Sequence, residues 1–137
     1  MPQLTIIVPA YNESAVLRSF HRRLAEVIDH LPLDCRVLYV DDGSHDDTWS
    51  IIVSLLAADA RVGALKLSRN FGKEAALTAG LDAADGDAVV VIDADLQDPP
   101  ELIPALVEQW QAGYDVVYAT RTARDGESRF KRFTAAV

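Results

Sequence analysis

The sequence predicts an α/β fold, a doubly wound and mostly parallel sheet with helices on both faces. Five short apolar runs rich in β-formers are separated by stretches with helical periodicity. The runs do not alternate polar with apolar residues, so both faces of each strand are expected to be buried, as in a parallel sheet. Strict β-α-β alternation calls for right-handed crossovers between parallel neighbours. The chain of 137 residues is half hydrophobic, enough for one compact core.

Taken in order, the expected strands are LTIIVP (4–9), RVLYVDD (36–42), VGALKLS (62–68), AVVVID (88–93) and DVVYAT (115–120). The first helix carries the stripe Val16, Leu17, Phe20, Leu24, Val27, Ile28 and Leu31. Trp49, Ile52, Val53 and Leu56 mark a second helix, and Leu102, Ile103, Leu106, Val107 and Trp110 a fourth. The third, within GKEAALTAGLDAADG, places Ala75, Ala76, Ala79, Gly80 and Ala83 on its faces, small enough for close packing on a sheet. Asp98, Pro99, Pro100 and Glu101 read as an N-cap, a helix-start proline and a capping-box acid. Pro104 is expected further inside that helix, where it would remove one backbone hydrogen bond.

Charge divides the chain in two. The formal net charge is −8, yet residues 121–137 carry a net +3 through Arg121, Arg124, Arg129, Lys131 and Arg132. The division suggests a basic arm near an anionic partner, so an α/β domain over 1–120 and a basic segment over 121–137 are expected, and FTAAV carries no helix stop signal, as expected of a piece of something longer. An acidic body excludes non-specific nucleic-acid binding, which needs a basic footprint. No apolar run approaches the ~18 residues of a membrane-spanning helix, and no secretory leader is visible. One cysteine, Cys35, allows no intrachain disulfide and no cysteine metal cluster, so the cytoplasm is the expected compartment. His21, His30 and His45 show no metal-ligand spacing, and the first two are expected on a surface-like helix face.

In doubly wound sheets ligands bind beyond the carboxyl ends of the strands. The loops there are PAYNES, DDGSHDD, SRNFGKE, DADLQD and ATRTARDGES, all polar or charged. Neither a GxGxxG nor a GxxxxGK[ST] phosphate cradle occurs. Asp93, Asp95 and Gln97 alternate in an extended segment, which presents three oxygens on one side. Such hard ligands suit Mg²⁺ or Mn²⁺, completed by water and substrate phosphates. Other acids have structural explanations. Asn12 or Ser14 can cap the first helix, and Glu13 can favour its dipole. Gly43 and Ser44 read as a turn and cap, with Asp46 and Asp47 in the first helical turn. Arg69 and Lys73 can be solvated, and Cys35 inert.

Together, IIVPAYNES, VLYVDDGSHDDT, LSRNFGKEAALTAG, VVVIDADLQDPPELI and VVYATR resemble family-2 glycosyltransferases of the Rossmann-like A-type fold, in the family's order. DADLQDPP and the Gly126–Arg132 segment resemble its polyprenyl-phosphate branch. The resemblance implies an inverting enzyme that moves a sugar from a UDP- or GDP-linked donor to a polyprenyl phosphate, assisted by Mg²⁺ or Mn²⁺. It implies that Pro9, Tyr11 and Glu13 line the base and ribose pocket, with Asn12 shaping the loop and Val40 and Asp42 meeting the base. It further implies Asp93 and Ala94 at the ribose and phosphates, Asp95 and Gln97 on the metal with Asp93 beside them, and Arg121 on the diphosphate. Lys73 joins the donor-binding set as a loop cation, and Asp93, Asp95 and Arg121 form the catalytic set. Membrane association is expected of the full-length protein alone, at the cytoplasmic face, and self-association stays open. A saccharide acceptor and a non-catalytic nucleotide-sugar-binding fragment are the alternatives. A receiver domain would need its acidic pair after the first strand, and a sugar-phosphate nucleotidyltransferase a glycine- and lysine-rich loop there; PAYNE offers neither.

Overall fold

The structure is a computed structural model. It describes residues 3–84, 87–95, 99–111, 116–121 and 128–133. Strand β1 (Gln3–Ala10) leads to α1 (Leu17–Asp29), β2 (Asp34–Asp41), α2 (Thr48–Ala58), β3 (Val62–Lys66), α3 (Lys73–Ala83) and β4 (Ala88–Val91). A 3₁₀ turn (Pro100–Leu102) then enters α4 (Ile103–Gln111), followed by β5 (Val116–Arg121) and β6 (Ser128–Phe133).

The main sheet has the order β3-β2-β1-β4, and all its strands are parallel. Ile6 of β1 sits between Val37 of β2 and Val90 of β4. The chain first winds outward from β1 to β3, then returns through α3 to place β4 on the other side of β1. Strand order therefore reverses between β1 and β4, which opens a crevice at their carboxyl ends.

Side-chain alternation on the strands fills two unequal cores. Leu4, Ile6 and Val8 of β1, with Val37 and Tyr39 of β2, pack under Leu17, Phe20 and Leu24 of α1, Ile52 of α2, and Ile103 and Leu106 of α4. On the opposite face, Ile7 and Val40 meet Ala76 of α3. That helix lies close because Gly80 faces the sheet: a Cβ there would stand 2.6 Å from Ile7 Cγ2. The helix that reverses the winding is thus on the opposite face from α1 and α2, as right-handed crossovers require.

Several expectations change. The fifth strand is not part of the four-stranded sheet; β5 pairs antiparallel with β6, Arg121 opposite Ser128. Strand β4 is buried on one face only, and Val89 and Val91 are 37% and 39% exposed on the other. Helix α1 begins at Leu17, after Val16, with no side-chain cap; Glu13 instead supplies its carbonyl to Val16 N–H and Leu17 N–H. Asp98 lies outside the described residues, the 3₁₀ turn starts at Pro100, and Glu101 pairs with Arg23 of α1. Pro104 is the second residue of α4, where its missing N–H would have had no helical partner, so the expected loss does not arise.

His21 is the clearest departure. It is buried, its Nδ1 2.6 Å from the Tyr39 hydroxyl and its Nε2 3.2 Å from Asp59 Oδ2. Asp59 in turn accepts from Arg61, which also reaches Asp29 at 2.7 Å. This chain of polar contacts ties α1 to β2 and to the start of β3. Burial lowers the His21 pKa despite Asp59, while Arg61 holds Asp59 at about 2.

Candidate active site

Four loops meet at the carboxyl edge of the sheet, and each is fixed by polar contacts to another. The loop after β1 turns at Asn12, whose φ of 52° is left-handed, a conformation asparagine tolerates. Its N–H donates to Ser44 Oγ at 2.9 Å, and its Oδ1 accepts from His45 N–H at 2.8 Å. Glu13 N–H donates to Thr48 Oγ1 and Ser14 N–H to Asp46 Oδ2. Burial raises the Asp46 carboxyl, but bonds from Thr48 and Ser14 outweigh it and hold the group at about 2. Asp46 precedes α2 and clamps two loops, a role its place in the sequence did not disclose.

Asp42 performs the second clamping. It is 4% exposed, beyond the last residue of β2, and receives Phe71 N–H at 2.9 Å, Gly72 N–H at 3.2 Å and Asn70 Nδ2 at 3.3 Å. The loop between β3 and α3 is thereby held against the end of β2. Gly43 makes that contact sterically possible: its φ is +69°, and a Cβ would lie 2.2 Å from the Arg69 carbonyl carbon. Asp41 is fully buried; its Oδ1 accepts from Ser44 N–H, and its Oδ2 has no hydrogen-bond partner among the described residues.

Between these loops lies a cavity of ≈ 250 Å³, lined by Pro9, Ala10, Tyr11, Glu13, Asp42, Lys73, Asp93, Ala94 and Asp95. It opens at the crevice between β1 and β4. Eight of the sequence-predicted residues thus converge, from four separate loops; Ala10 is the addition. Asn12 shapes the loop from outside the lining. Val40 does not reach the cavity: it is fully buried with Ile7 and Ala76 on the α3 side. Asp42, two residues further on and past the end of β2, does line it. Gln97 lies outside the described residues, as does Arg124, and Arg121 ends β5. A larger cavity of ≈ 390 Å³, lined by Thr5, Arg36, Arg61 and others, sits at the opposite, amino-terminal ends of the strands. It is remote from this constellation.

The electrostatics of the smaller cavity are those of crowded carboxylates with one bound cation. Lys73 Nζ stands 2.6 Å from Asp93 Oδ2. The Glu13 pKa is raised, first by burial and then by Asp95, Asp93 and Asp46. Among the described residues no group of three or more His, Cys, Asp or Glu could hold a metal by itself. The donor set instead fits a small hard divalent ion, which takes one or two carboxylates and completes its shell with water and phosphate oxygens. The neighbouring carboxylates add to burial in raising Glu13, and their charge is what such an ion would offset.

A Rossmann-like sheet with an oxygen-rich acidic cleft at its switch point defines an α/β domain whose candidate site lies where ligands bind in this architecture. The chain belongs to glycosyl transferase family 2, whose sequence pattern it matches over residues 5–136. It is 50% identical over 135 residues to an uncharacterized glycosyltransferase of Bacillus subtilis, covering 98% of this chain and 42% of that protein. It is 47% identical over 133 residues to a bactoprenol glucosyl transferase of Shigella phage SfV, covering 97% of this chain and 43% of that protein. In structure it resembles a Pyrobaculum calidifontis mannosyltransferase solved in complex with GDP-Man and Mn²⁺, with a TM-score of 0.73 and 28% identity over 91% of this chain and 37% of that one. The fold is the glycosyltransferase A-type. The chain spans about two fifths of the length of the curated relatives it matches. No helix among the described residues is long and apolar enough to cross a membrane.

Proposed function

We propose that this chain is the donor-binding part of an inverting glycosyltransferase, which transfers a sugar from a UDP- or GDP-sugar to a polyprenyl phosphate. One observation carries the reading. In a family-2 chain, Pro9, Tyr11, Glu13, Asp42, Lys73, Asp93, Ala94 and Asp95 line a single cavity at the switch point. The bactoprenol glucosyl transferase at 47% identity supports the lipid-phosphate acceptor. The mannosyltransferase with GDP-Man and Mn²⁺ supports a nucleotide-sugar donor and a divalent metal. Membrane association belongs, on this reading, to the whole protein, at the cytoplasmic face.

Tyr11 and Pro9 would flank the base, and Glu13 the ribose. Asp42 would meet the base edge while fixing the loop at residues 70–72. Asp95, Asp93 and Gln97 would hold Mg²⁺ or Mn²⁺. When bound, that ion supplies positive charge to the departing diphosphate, a contribution of several kcal/mol in such sites. Arg121 would face the same diphosphate. The acceptor attacks the anomeric carbon from the side opposite the leaving group, in one displacement. A phosphate acceptor is already ionised, so it needs no strong general base.

Calorimetry of the chain with UDP and GDP, each with and without Mn²⁺, tests this. We expect one nucleotide to bind in a metal-dependent manner and Asp95→Ala to abolish the dependence with the fold intact. Equal binding by Asp95→Ala and wild type would remove the metal assignment.

A further inference from the structure

The cation at the mouth of the cavity is in an unexpected place. Lys73 is the first residue of α3, at the positive end of the helix dipole, where a lysine is disfavoured. The same turn is already anchored without it, since Asp42 accepts the N–H groups of Phe71 and Gly72. Residues that run against a local preference cluster at functional sites. Its side chain is 69% exposed yet its ammonium closes on Asp93 at 2.6 Å, and Asp93 is the less exposed partner at 28%. Lysine is a compact point charge on a flexible stem, suited to moving between anions.

Resting on the donor-site reading above, we infer that Lys73 is an exchangeable counter-ion: it neutralises Asp93 in the ligand-free cavity and transfers to the donor's diphosphate when nucleotide and metal enter. Lysine and metal draw on the same carboxylate. Without nucleotide, Lys73 therefore opposes metal binding at Asp93. With nucleotide, the diphosphate takes the ammonium and frees Asp93 to face the ion. Metal and nucleotide then bind cooperatively, because each removes what holds the other off. Asp95, Asp93 and Asp46 stand near enough to Glu13 to add to the effect of its burial, and a tethered cation offsets part of that shared charge.

The test compares wild type, Lys73→Gln and Lys73→Arg, with Lys66→Gln as the charge control. Lys66 lies over the Trp49 ring and does not line the cavity. Mn²⁺ alone is titrated by electron paramagnetic resonance, then UDP and GDP are titrated by calorimetry at fixed Mn²⁺. Lys73→Gln should bind Mn²⁺ alone roughly ten-fold more tightly than wild type and bind the nucleotide roughly ten-fold more weakly, the scale of one lost charge contact. Lys73→Arg and Lys66→Gln should stay within about two-fold of wild type for Mn²⁺ alone. Mn²⁺ affinity that is unchanged or weaker in Lys73→Gln overturns the exchange, as does an equal gain in Lys66→Gln. Failure of wild type to bind either nucleotide sinks the donor-site reading instead, and the Mn²⁺ titration separates the two failures. Circular dichroism checks that the variants are folded, which the exposure of Lys73 favours.

Discussion

Replacing Asp42 by alanine should loosen the site before it unfolds the protein. The carboxylate is 4% exposed and receives two backbone N–H groups at 2.9 and 3.2 Å, plus a weaker side-chain donor at 3.3 Å. A hydrogen bond to a charged group contributes about 1.5–3 kcal/mol, and a buried donor left unpaired costs a similar amount. The loop it holds is half open to solvent, with Phe71 49% exposed, so water recovers part of the loss. We therefore take one full contact and a fraction of the second, about 3 kcal/mol in all. Against a typical domain stability of ~5–15 kcal/mol, the variant stays folded. The loss is local, because the broken contacts join the end of β2 to the turn that starts α3. Urea unfolding should show the midpoint falling with an unchanged slope. Hydrogen exchange should show lost protection at Phe71 and Gly72 while the Ile6–Val37–Val90 strands keep theirs. Asp42→Asn, which keeps one acceptor oxygen, should lose about half as much. A loss under ~1 kcal/mol with Phe71 and Gly72 still protected would refute the clamp.

Two further outcomes follow from the packing and the buried histidine. Gly80→Val should destabilise by about 1–3 kcal/mol through overpacking, since a Cβ already meets Ile7 Cγ2 at 2.6 Å; urea unfolding that shows no loss would mean α3 can shift freely. Burial keeps the folded-state His21 pKa below 6.5, so the unfolded chain takes the proton first, and this contribution is present above pH 6.5 and lost as pH falls. Asp59, held at about 2 against an ordinary 3.8, adds a second loss only below pH 4. Urea midpoints should thus fall between pH 7.5 and 5.5 in wild type and much less in His21→Gln; a wild-type midpoint that rises on acidification would contradict the assignment.

The architecture was legible because it depends on periodicity, which a single chain displays. Strands β1 to β4 and helices α1 to α4 lie where the apolar runs and stripes place them. The convergence of the candidate site's loops was legible for the same reason: once the strands are placed, their carboxyl ends carry PAYNE, VDD, FGK and DAD to one edge. What stayed hidden depends on direction and partnership. Val40 was placed at the base by the family resemblance, but it lies inside β2, short of the cavity, and packs with Ile7 and Ala76. His21 looked like a surface histidine because its partners, Tyr39 and Asp59, are 18 and 38 residues away. Asp46 looked like a first-turn acid because its bond to Ser14 joins loops 32 residues apart. The run AVVVI suggested burial on both faces, yet α3 leans on β1 and β2 and leaves Val89 and Val91 open. The partner of β5 was missed because apolar content says nothing of which strand pairs with it; β6, in the basic segment, supplies it.

The measurement closest to the central claim is a crystal grown with Mn²⁺ and the nucleotide diphosphate that binds, with data collected at the manganese absorption edge. The account predicts an anomalous peak between the Asp95 carboxylate and the diphosphate, the base beside Tyr11 and the Lys73 ammonium turned from Asp93 toward phosphate. Nucleotide lodged among Arg36, Arg61 and Thr5 at the far end of the sheet, with no manganese near Asp95, would contradict it.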